Sequence, residues 1–561
     1  LIATTAHAWW QDLEATDFRW HVPETFNIAE ACTDLQTPGN TALIVDSSDA
    51  LTTYSFGQLG VLSRKFMGLL QNWGLNHGDR VAIMVPQGVE VLTAHLGSFR
   101  GGFVTVPMSV KFGATAVAYR LRDSGAKALV IDADCYDRIK DALADTPDLT
   151  HVVVVGRRVT RDPSIDAHIL DYRAEVENQA ESAAPAVTGP RSPAIIIYTS
   201  GTTGSPKGAL HGHQILLAHM PGVRTSFGNA PQPQDVFWTP ADWAWIGGLF
   251  DVLFTVLSLG CPVVATPDKF DPQRTLDLLR RHRITCAFIP PTALKQMRSS
   301  GIDADAAAGT TIRTLATGGE ALGEVIERWV ETTFRAPINE FYGQTEMNLT
   351  VGTSRTSRTT PPGCMGRAFP GFELALLDPS GHAVPDGRAG EICIRTGNPG
   401  QMLRYWNDPD KTAKKIYAKW IHTGDLAKAD TNGDLWYEGR ADDVISTAGY
   451  RVGPSEIEDC LLSHPAVSMA AVIGIPDELR GESVKAFVVL SRGYVPSKTL
   501  STDLQNHVKL KLAFYQYPRS ITYLEELPMT ATGKIMRKEL RNHTGPSLRA
   551  DLAPDPTVYK S

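Results

Sequence analysis

The chain has 561 residues, too many for one ordinary hydrophobic core, so two or more domains are expected. Hydrophobic residues make up 43% and charged residues 20%, the balance of a soluble globular protein. Lys plus Arg number 54 against 61 Asp plus Glu, a formal net charge of -7 with no long basic run, which argues against nucleic acid as a partner. Seven scattered cysteines (Cys32, Cys135, Cys261, Cys286, Cys364, Cys393, Cys460) contain no Cys-x-x-Cys pair and argue against a disulfide frame or a zinc site. They fit a reducing compartment: the cytoplasm, or the mitochondrial matrix if a targeting segment once preceded Leu1. The apolar run Leu249 to Ala265 is broken by Asp251 and Gly260, and reads as a buried helix and strand rather than a membrane span.

Up to residue 190, short β-rich runs (Ala42 to Val45, Arg80 to Met84, Val104 to Val106, Ala128 to Ile131) alternate with amphipathic stretches (Ser55 to Trp73, Val89 to Phe99). Such alternation predicts parallel sheets with crossover helices. The Ala-, Pro- and Ser-rich segment Ala180 to Ser192 reads as a connector. The pattern resumes with strands at Val236 to Trp238, Val263-Val264 and Ala287 to Ile289, and helices at Trp245 to Leu259 and Pro272 to His282. Gly and Pro then punctuate short strands at Glu373 to Leu377 and Gly390 to Ile394, as in an antiparallel or barrel-like subdomain. After Arg440 the chain changes to a compact α+β unit, with a helix from about Pro454, strands at Met469 to Ile475, Val484 to Leu490 and Ser520 to Tyr523, and a helix at Leu500 to Leu512. The expected division is 1–440 and 441–561.

The most informative stretch is Tyr198-Thr199-Ser200-Gly201-Thr202-Thr203-Gly204-Ser205-Pro206-Lys207-Gly208, fed by the apolar run Ala194 to Ile197. Its glycines free the backbone, its hydroxyls and amides suit phosphate oxygens, and Lys207 adds a positive charge. It is not a Walker loop, because Pro206 precedes the lysine and Gly208 follows it. Further on, Glu340-Phe341-Tyr342-Gly343-Gln344-Thr345-Glu346 combines a flat ring, a hydroxyl and a carboxylate that suits a hard cation. Thr317-Gly318-Gly319-Glu320 forms a tight turn. Each segment alone would pass for an ordinary loop.

Together they resemble the motifs of the adenylate-forming superfamily, which includes acyl-CoA synthetases, luciferases and peptide-synthetase adenylation domains. The motifs occur in that family's order from Tyr198 to Ile535. The resemblance implies an α/β fold, with a large N-terminal domain of two α/β subdomains plus a β-barrel-like subdomain and a small mobile α+β C-terminal domain. It implies that Thr199 to Gly204 and Lys207 hold the ATP phosphates, that Gly319, Glu320, Glu340, Tyr342 and Gly343 line the adenine site, and that Thr345 meets phosphate while Glu346 binds Mg²⁺. In Trp420-Ile421-His422-Thr423-Gly424-Asp425, Asp425 would accept both ribose hydroxyls, as a carboxylate with two acceptor oxygens can. Arg440 would add a ribose contact, and His422 reads as a ring packed beside Trp420. Asp442, in Gly439-Arg440-Ala441-Asp442-Asp443, stands at the family's hinge. Gly449, Tyr450 and Arg451 would meet coenzyme A after rotation. Lys534, in Thr530-Ala531-Thr532-Gly533-Lys534-Ile535, would bring its charge to the α-phosphate and the substrate carboxylate.

The implied chemistry has two steps: a carboxylate attacks the α-phosphate of ATP, releasing pyrophosphate, and a thiol then displaces AMP from acyl-AMP. Trp243, Gly318, Gly343 and Met347 are the expected acyl-pocket residues. Acetate-specific relatives carry Trp where Gly343 stands, so a larger acid is expected: medium-chain, branched or aryl, as in the medium-chain acyl-CoA synthetase branch. Two alternatives stay open, a carrier-protein loading enzyme with Asp242 meeting an α-amino group, and a catalytically silent nucleotide-binding homologue. Beyond the acid and CoA, the expected partners are a second copy in a homodimer and an acetyltransferase and deacetylase acting on Lys534.

Overall fold

The computed structural model describes residues 18–156, 168–181, 184–199, 205–361, 363–441, 443–447, 450–477, 480–512, 515–530 and 534–542. Two large sheets and two smaller ones carry the chain. The eight-stranded sheet has Val104–Pro107, Arg80–Met84 and Ala126–Asp132 at its centre. These strands pair in parallel because each returns through a helix, and they are buried almost throughout, as strands covered on both faces must be. The sheet extends through His151–Val155 to His168–Asp171 on one side. On the other, Pro193–Thr199 turns back antiparallel into Lys207–Gly212, so the signature stretch is the connection of an edge hairpin.

The nine-stranded sheet is parallel across its middle, from Thr41–Asp46 through Val263–Ala265, Phe237–Trp238, Cys286–Phe288 and Thr314–Gly318 to Ile338–Tyr342. Antiparallel strands close both edges: Leu51–Ser55 at one end, Val351–Gly352 and Arg367–Ala368 at the other. Ser55 ends its strand as the cap of the Phe56–Asn72 helix, its hydroxyl accepting from the Gln58 amide while the Gln58 side chain accepts from the Ser55 amide. The parallel neighbours Thr314–Gly318 and Ile338–Tyr342 end at one sheet edge, which brings the turns after Gly318 and Tyr342 together. Ligand loops in open α/β sheets gather at such carboxyl ends.

A five-stranded antiparallel sheet follows, with Leu374–Leu377, Gly390–Arg395, Trp420–Ala429 and Ile416–Tyr417 in order and Leu435–Arg440 also on the long strand. From Ile445 a last sheet is built around the long hairpin Val467–Asp477 and Gly481–Leu490, with Ser520–Tyr523 parallel at its edge. The Pro454–Leu462 and Lys498–Lys511 helices pack on it and give it a separate core that includes Ile457, Leu461, Val472, Val484 and Val508.

The expected helix at Trp245 to Leu259 is three pieces: a short α turn at Ile246–Gly248, a π-helical segment at Leu249–Leu253, and an α segment at Phe254–Ser258. Together with the strand Val263–Ala265, these account for the apolar run, and among the described residues no helix is long and apolar enough to cross a membrane.

Candidate active site

Asp425 is the centre of the polar site. It lies on the Trp420–Ala429 strand opposite Arg440, and its carboxylate is 5% exposed. Its Oδ2 accepts from the Tyr342 hydroxyl at 2.7 Å and from the Gln344 side-chain amide at 2.5 Å. The Arg440 guanidinium stands 3.6 Å from Oδ1, and the Tyr437 hydroxyl donates to Oδ1 at 3.4 Å. A carboxylate held by hydroxyl and amide donors, with the Arg440 cation beside it, offers its oxygens to a vicinal diol by partner exchange rather than by desolvation. Glu391 sets the turn leading into it, accepting from the Gly424 amide at 2.8 Å and from His422 Nδ1 at 2.9 Å.

The ring partner of His422 is Tyr417, stacked on it with centroids 3.8 Å apart and planes within 2°, while Trp420 takes the Arg395 guanidinium over its face at 5.3 Å. Tyr417 pairs with Trp420 across the short hairpin and comes from the neighbouring strand, so spacing along one strand could not reveal it.

Glu346 is 8% exposed and accepts from the Tyr405 hydroxyl at 2.5 Å. Burial works against its ionisation, yet the charge of Lys415 and the Tyr405 hydrogen bond outweigh it, and the carboxyl lies below its ordinary range. A buried carboxylate kept ionised in this way suits a hard divalent cation. Lys415 donates to Gln344 Oε1 at 2.7 Å and so joins the Glu346 and Asp425 groups. The Lys207 ammonium lies over the Tyr405 ring at 5.4 Å, and Thr199 pairs with Lys207 at the mouth of the hairpin. The Thr345 carbonyl is held by His211 Nε2 at 2.7 Å, and Met347, fully buried, bridges to Gln401.

Gly319 (φ 89°) and Glu320 lie beneath the C-terminal unit. A Cβ on Gly319 would stand 3.8 Å from Cε of Lys534, and Glu320 senses the Lys534 charge. Burial raises the Glu320 carboxyl, and Lys295, two 3.1 Å contacts from the Thr292 hydroxyl, and Lys534 partly offset this. Burial also pushes Glu340 up to about 8, although its carboxylate accepts from the Leu322 amide at 3.1 Å. Asp459 of the C-terminal unit lies against Gly323 and is raised to about 7 by burial and by Glu458, with Lys295 opposing. The contact between the units is therefore rich in carboxyls that resist ionisation.

Gly318 is closed in by Phe341, whose ring and carbonyl would both stand 2.6 Å from an added Cβ. Gly343 faces backbone: a Cβ there would stand 2.4 Å from the Leu349 nitrogen. Trp243 is 2% exposed within the main core, and its indole N–H has no hydrogen-bond partner among the described residues. Asp242 is committed locally, accepting from the Ser109 hydroxyl at 2.6 Å and the Ala244 amide at 3.1 Å. Ser200, Gly201, Thr202, Thr203, Gly204, Asp442 and Gly449 lie outside the described residues, as do the side chains of Tyr450 and Arg451.

Sequence reasoning quoted Gln344 without assigning it, and missed Lys415, Tyr405, Tyr437 and Glu391. Tyr405 had a faint signal as half of an aromatic pair with Trp406, whereas Lys415 is one lysine in a run of them.

The family model described as AMP-binding enzyme matches residues 32–406, and that of the AMP-binding enzyme C-terminal domain matches residues 456–534. The chain is 33% identical over 565 residues to the mitochondrial acyl-coenzyme A synthetase ACSM4 of Homo sapiens, covering 96% of this chain and 94% of that protein. It is 31% identical over 491 residues to the acetyl-coenzyme A synthetase of Bacillus subtilis (strain 168), covering 87% and 84%. The structure superposes with a TM-score of 0.86 on the anthranilate CoA ligase AuaEII in complex with anthranoyl-AMP, at 26% identity and covering 93% of this chain and 98% of that one. The motifs, the paired α/β sheets and these likenesses agree that the chain belongs to the AMP-binding enzyme family.

Proposed function

We propose that this protein is an ATP-dependent acid–thiol ligase that converts a medium-chain, branched or aryl carboxylic acid to its CoA thioester through acyl-AMP, releasing AMP and pyrophosphate. The observation that carries the reading is the position of Lys534 against Gly319 and Glu320, across the contact between the two units, while the Asp425 group stands assembled below. A charge brought in by a separate unit suits a reaction in which two anions must approach each other.

In the first step a carboxylate oxygen attacks the α-phosphorus, a P–O bond forms, and the bond to pyrophosphate breaks. Lys534 screens the repulsion between the reacting anions, Lys207 and the signature loop grip the departing phosphates, and Asp425 with Arg440 fixes the ribose. Tyr342 and Gln344 release Asp425 when the diol arrives and remain beside the nucleotide. Glu346, with Thr345 beside it, would hold Mg²⁺, which when bound neutralises phosphate charge. No protein base is required, because the acid is already ionised at neutral pH.

In the second step the C-terminal unit, taken as 441–561, turns about Asp442, withdraws Lys534 and presents Gly449, Tyr450 and Arg451 to coenzyme A. The thiol sulfur bonds to the acyl carbon, AMP leaves with the bonding electrons, and the thiol proton passes to solvent. Free CoA is favoured over a carrier protein because Asp242, the candidate for an α-amino contact, is already engaged by Ser109 and Ala244. An intact Lys534, Glu346 and Asp425 weigh against a silent homologue. Seven free, buried thiols fit a reducing compartment, cytoplasmic or mitochondrial. Acetylation of Lys534 would remove its charge and stop the first step.

The relatives are named for acyl, acetyl and anthranilate substrates. The larger acids are favoured because Gly343 adds no side chain to the site. A coupled AMP-formation assay with CoA across acids from acetate to octanoate, together with aryl acids, tests this. Turnover is expected to rise beyond acetate, and a preference for acetate over butyrate to octanoate would overturn the acid class.

A further inference from the structure

Asp251 lies in the π-helical segment Leu249–Leu253, within the apolar core, and is 3% exposed. A π turn re-aims side chains that an α-helix would stack, and such turns often occur at functional sites. Its Oδ1 accepts from the Asn348 amide at 2.9 Å. The other Asn348 contact is to Nε2 of His219, whose Nδ1–H donates to the Ile215 carbonyl at 2.6 Å, so Nε2 is the accepting nitrogen of a neutral ring. Burial lowers His219 to about 3, which leaves Asp251 with no cation. Burial likewise holds the Asp251 carboxyl well above the usual range, and the Asn348 hydrogen bond only partly offsets it.

Oδ2 receives no hydrogen bond from any described residue. It faces the backbone of Gly247: a Cβ there would stand 3.5 Å from Oδ2 and 3.2 Å from the Phe288 ring. Two lines of contact join this oxygen to the reacting end of the site. One runs from Lys534 to Gly319, through Gly318 to Phe341, to Phe288 stacked on it at 5.2 Å, and on to Gly247. The other runs from Tyr342 to Gly343, where an added Cβ would stand 3.1 Å from Asn348 Oδ1.

Oδ2 is thus an acceptor left free among the described residues beside Gly247, and a polar group seated in apolar surroundings favours a ligand that can hydrogen-bond to it. We propose that Asp251 Oδ2 is the far anchor of the acyl site and selects acids that carry a hydroxyl group remote from the carboxylate. A hydroxyl both donates and accepts, so it matches a carboxyl in either protonation state. It also costs less to desolvate beside Phe288 and Phe341 than an ammonium would.

This inference rests on the ligase reading for the identity of the acid, and two readouts separate the two claims. Matched pairs (benzoate with 3- and 4-hydroxybenzoate, hexanoate with 6-hydroxyhexanoate) are compared by pyrophosphate release and by calorimetric binding to enzyme loaded with a non-hydrolysable ATP analogue. The native enzyme should prefer the hydroxylated member of at least one pair by roughly 10-fold or more. Asp251→Leu should bring that ratio to about one, whatever the absolute rates. Gly247→Ala, which places a methyl between Oδ2 and the Phe288 ring, should do the same and serves if the leucine variant does not fold. A ratio unchanged in either variant, a native preference for the unsubstituted member of every pair, or calorimetric binding of neither member overturns the proposal. Absence of pyrophosphate release with every acid overturns the ligase reading, while the calorimetric ratios still decide this one.

Discussion

Tyr405→Phe removes one oxygen and should be felt at Glu346, the residue proposed to hold Mg²⁺. The Tyr405 hydroxyl donates to Glu346 Oε1 at 2.5 Å, and the pair is almost fully buried. A hydrogen bond to a charged group contributes about 1.5–3 kcal/mol, or roughly 10- to 150-fold in an equilibrium constant. Groups that orient a metal ligand are worth a similar 10- to 100-fold in metal affinity. The half-saturating Mg²⁺ concentration for pyrophosphate release, at saturating ATP and acid, should therefore rise by about 10-fold or more. The phenyl ring still lies beneath Lys207, so a general loss of packing is not the expected cause. A second sign comes from pH. Glu346 stays ionised against burial partly through this hydrogen bond, so its removal should raise the carboxyl and move the acidic limb of the rate profile to higher pH. An unchanged Mg²⁺ dependence together with an unchanged acidic limb would refute the assignment of Glu346.

Gly343→Ala should lower the Tm. Its methyl would stand 2.4 Å from the Leu349 nitrogen, and such overpacking costs about 1–3 kcal/mol. A native value would mean that the loop after Met347 yields freely. Asp459 carries a raised carboxyl where the C-terminal unit meets Gly323, so the closed arrangement favours its protonated form. Closure should weaken as pH rises through the ordinary carboxylate range to about 7, and Asp459→Asn should flatten the pH dependence of acyl-AMP formation there; an unaltered profile would count against this. Asp434, bridged by Arg358 at 2.6 Å and Arg367 at 2.9 Å, is held down to about 2 by these partners against the opposing effect of burial. Its depressed carboxyl stabilises the fold above the ordinary carboxylate pKa, and that stability is lost as pH falls through about 2. Asp434→Asn should lower the Tm at neutral pH, and the difference from native should shrink on acidification.

Much of this arrangement was legible because parallel strands in α/β proteins are continuously apolar. Arg80–Met84 and Ser520–Tyr523 fall where the pattern predicted them. The hairpin strand Leu51–Ser55 was not predicted, since Leu-Thr-Thr-Tyr-Ser is exposed or half-exposed throughout and carries no apolar run. His151–Val155 was passed over although four valines mark it. At the site, motifs singled out Asp425, Glu346 and Lys534 as candidates because each stands beside a glycine turn with a recognisable order. Tyr405, Lys415 and Glu391 act through residues 31 to 71 positions away in sequence, and only tertiary pairing reveals them. The same holds for Asp251. In the sequence it merely interrupts an apolar run, and its meaning depends on a π turn, on Asn348 and on a neutral His219.

The central claim is that one lysine, delivered by a separate unit, serves the first half-reaction and not the second. Lys534→Ala tests it most directly when the two half-reactions are measured apart, acyl-AMP formation by pyrophosphate release and thioester formation from supplied acyl-AMP and CoA. The account predicts that the first is largely abolished while the second continues near its native rate. Equal loss of both, or a first half-reaction that survives, would contradict it.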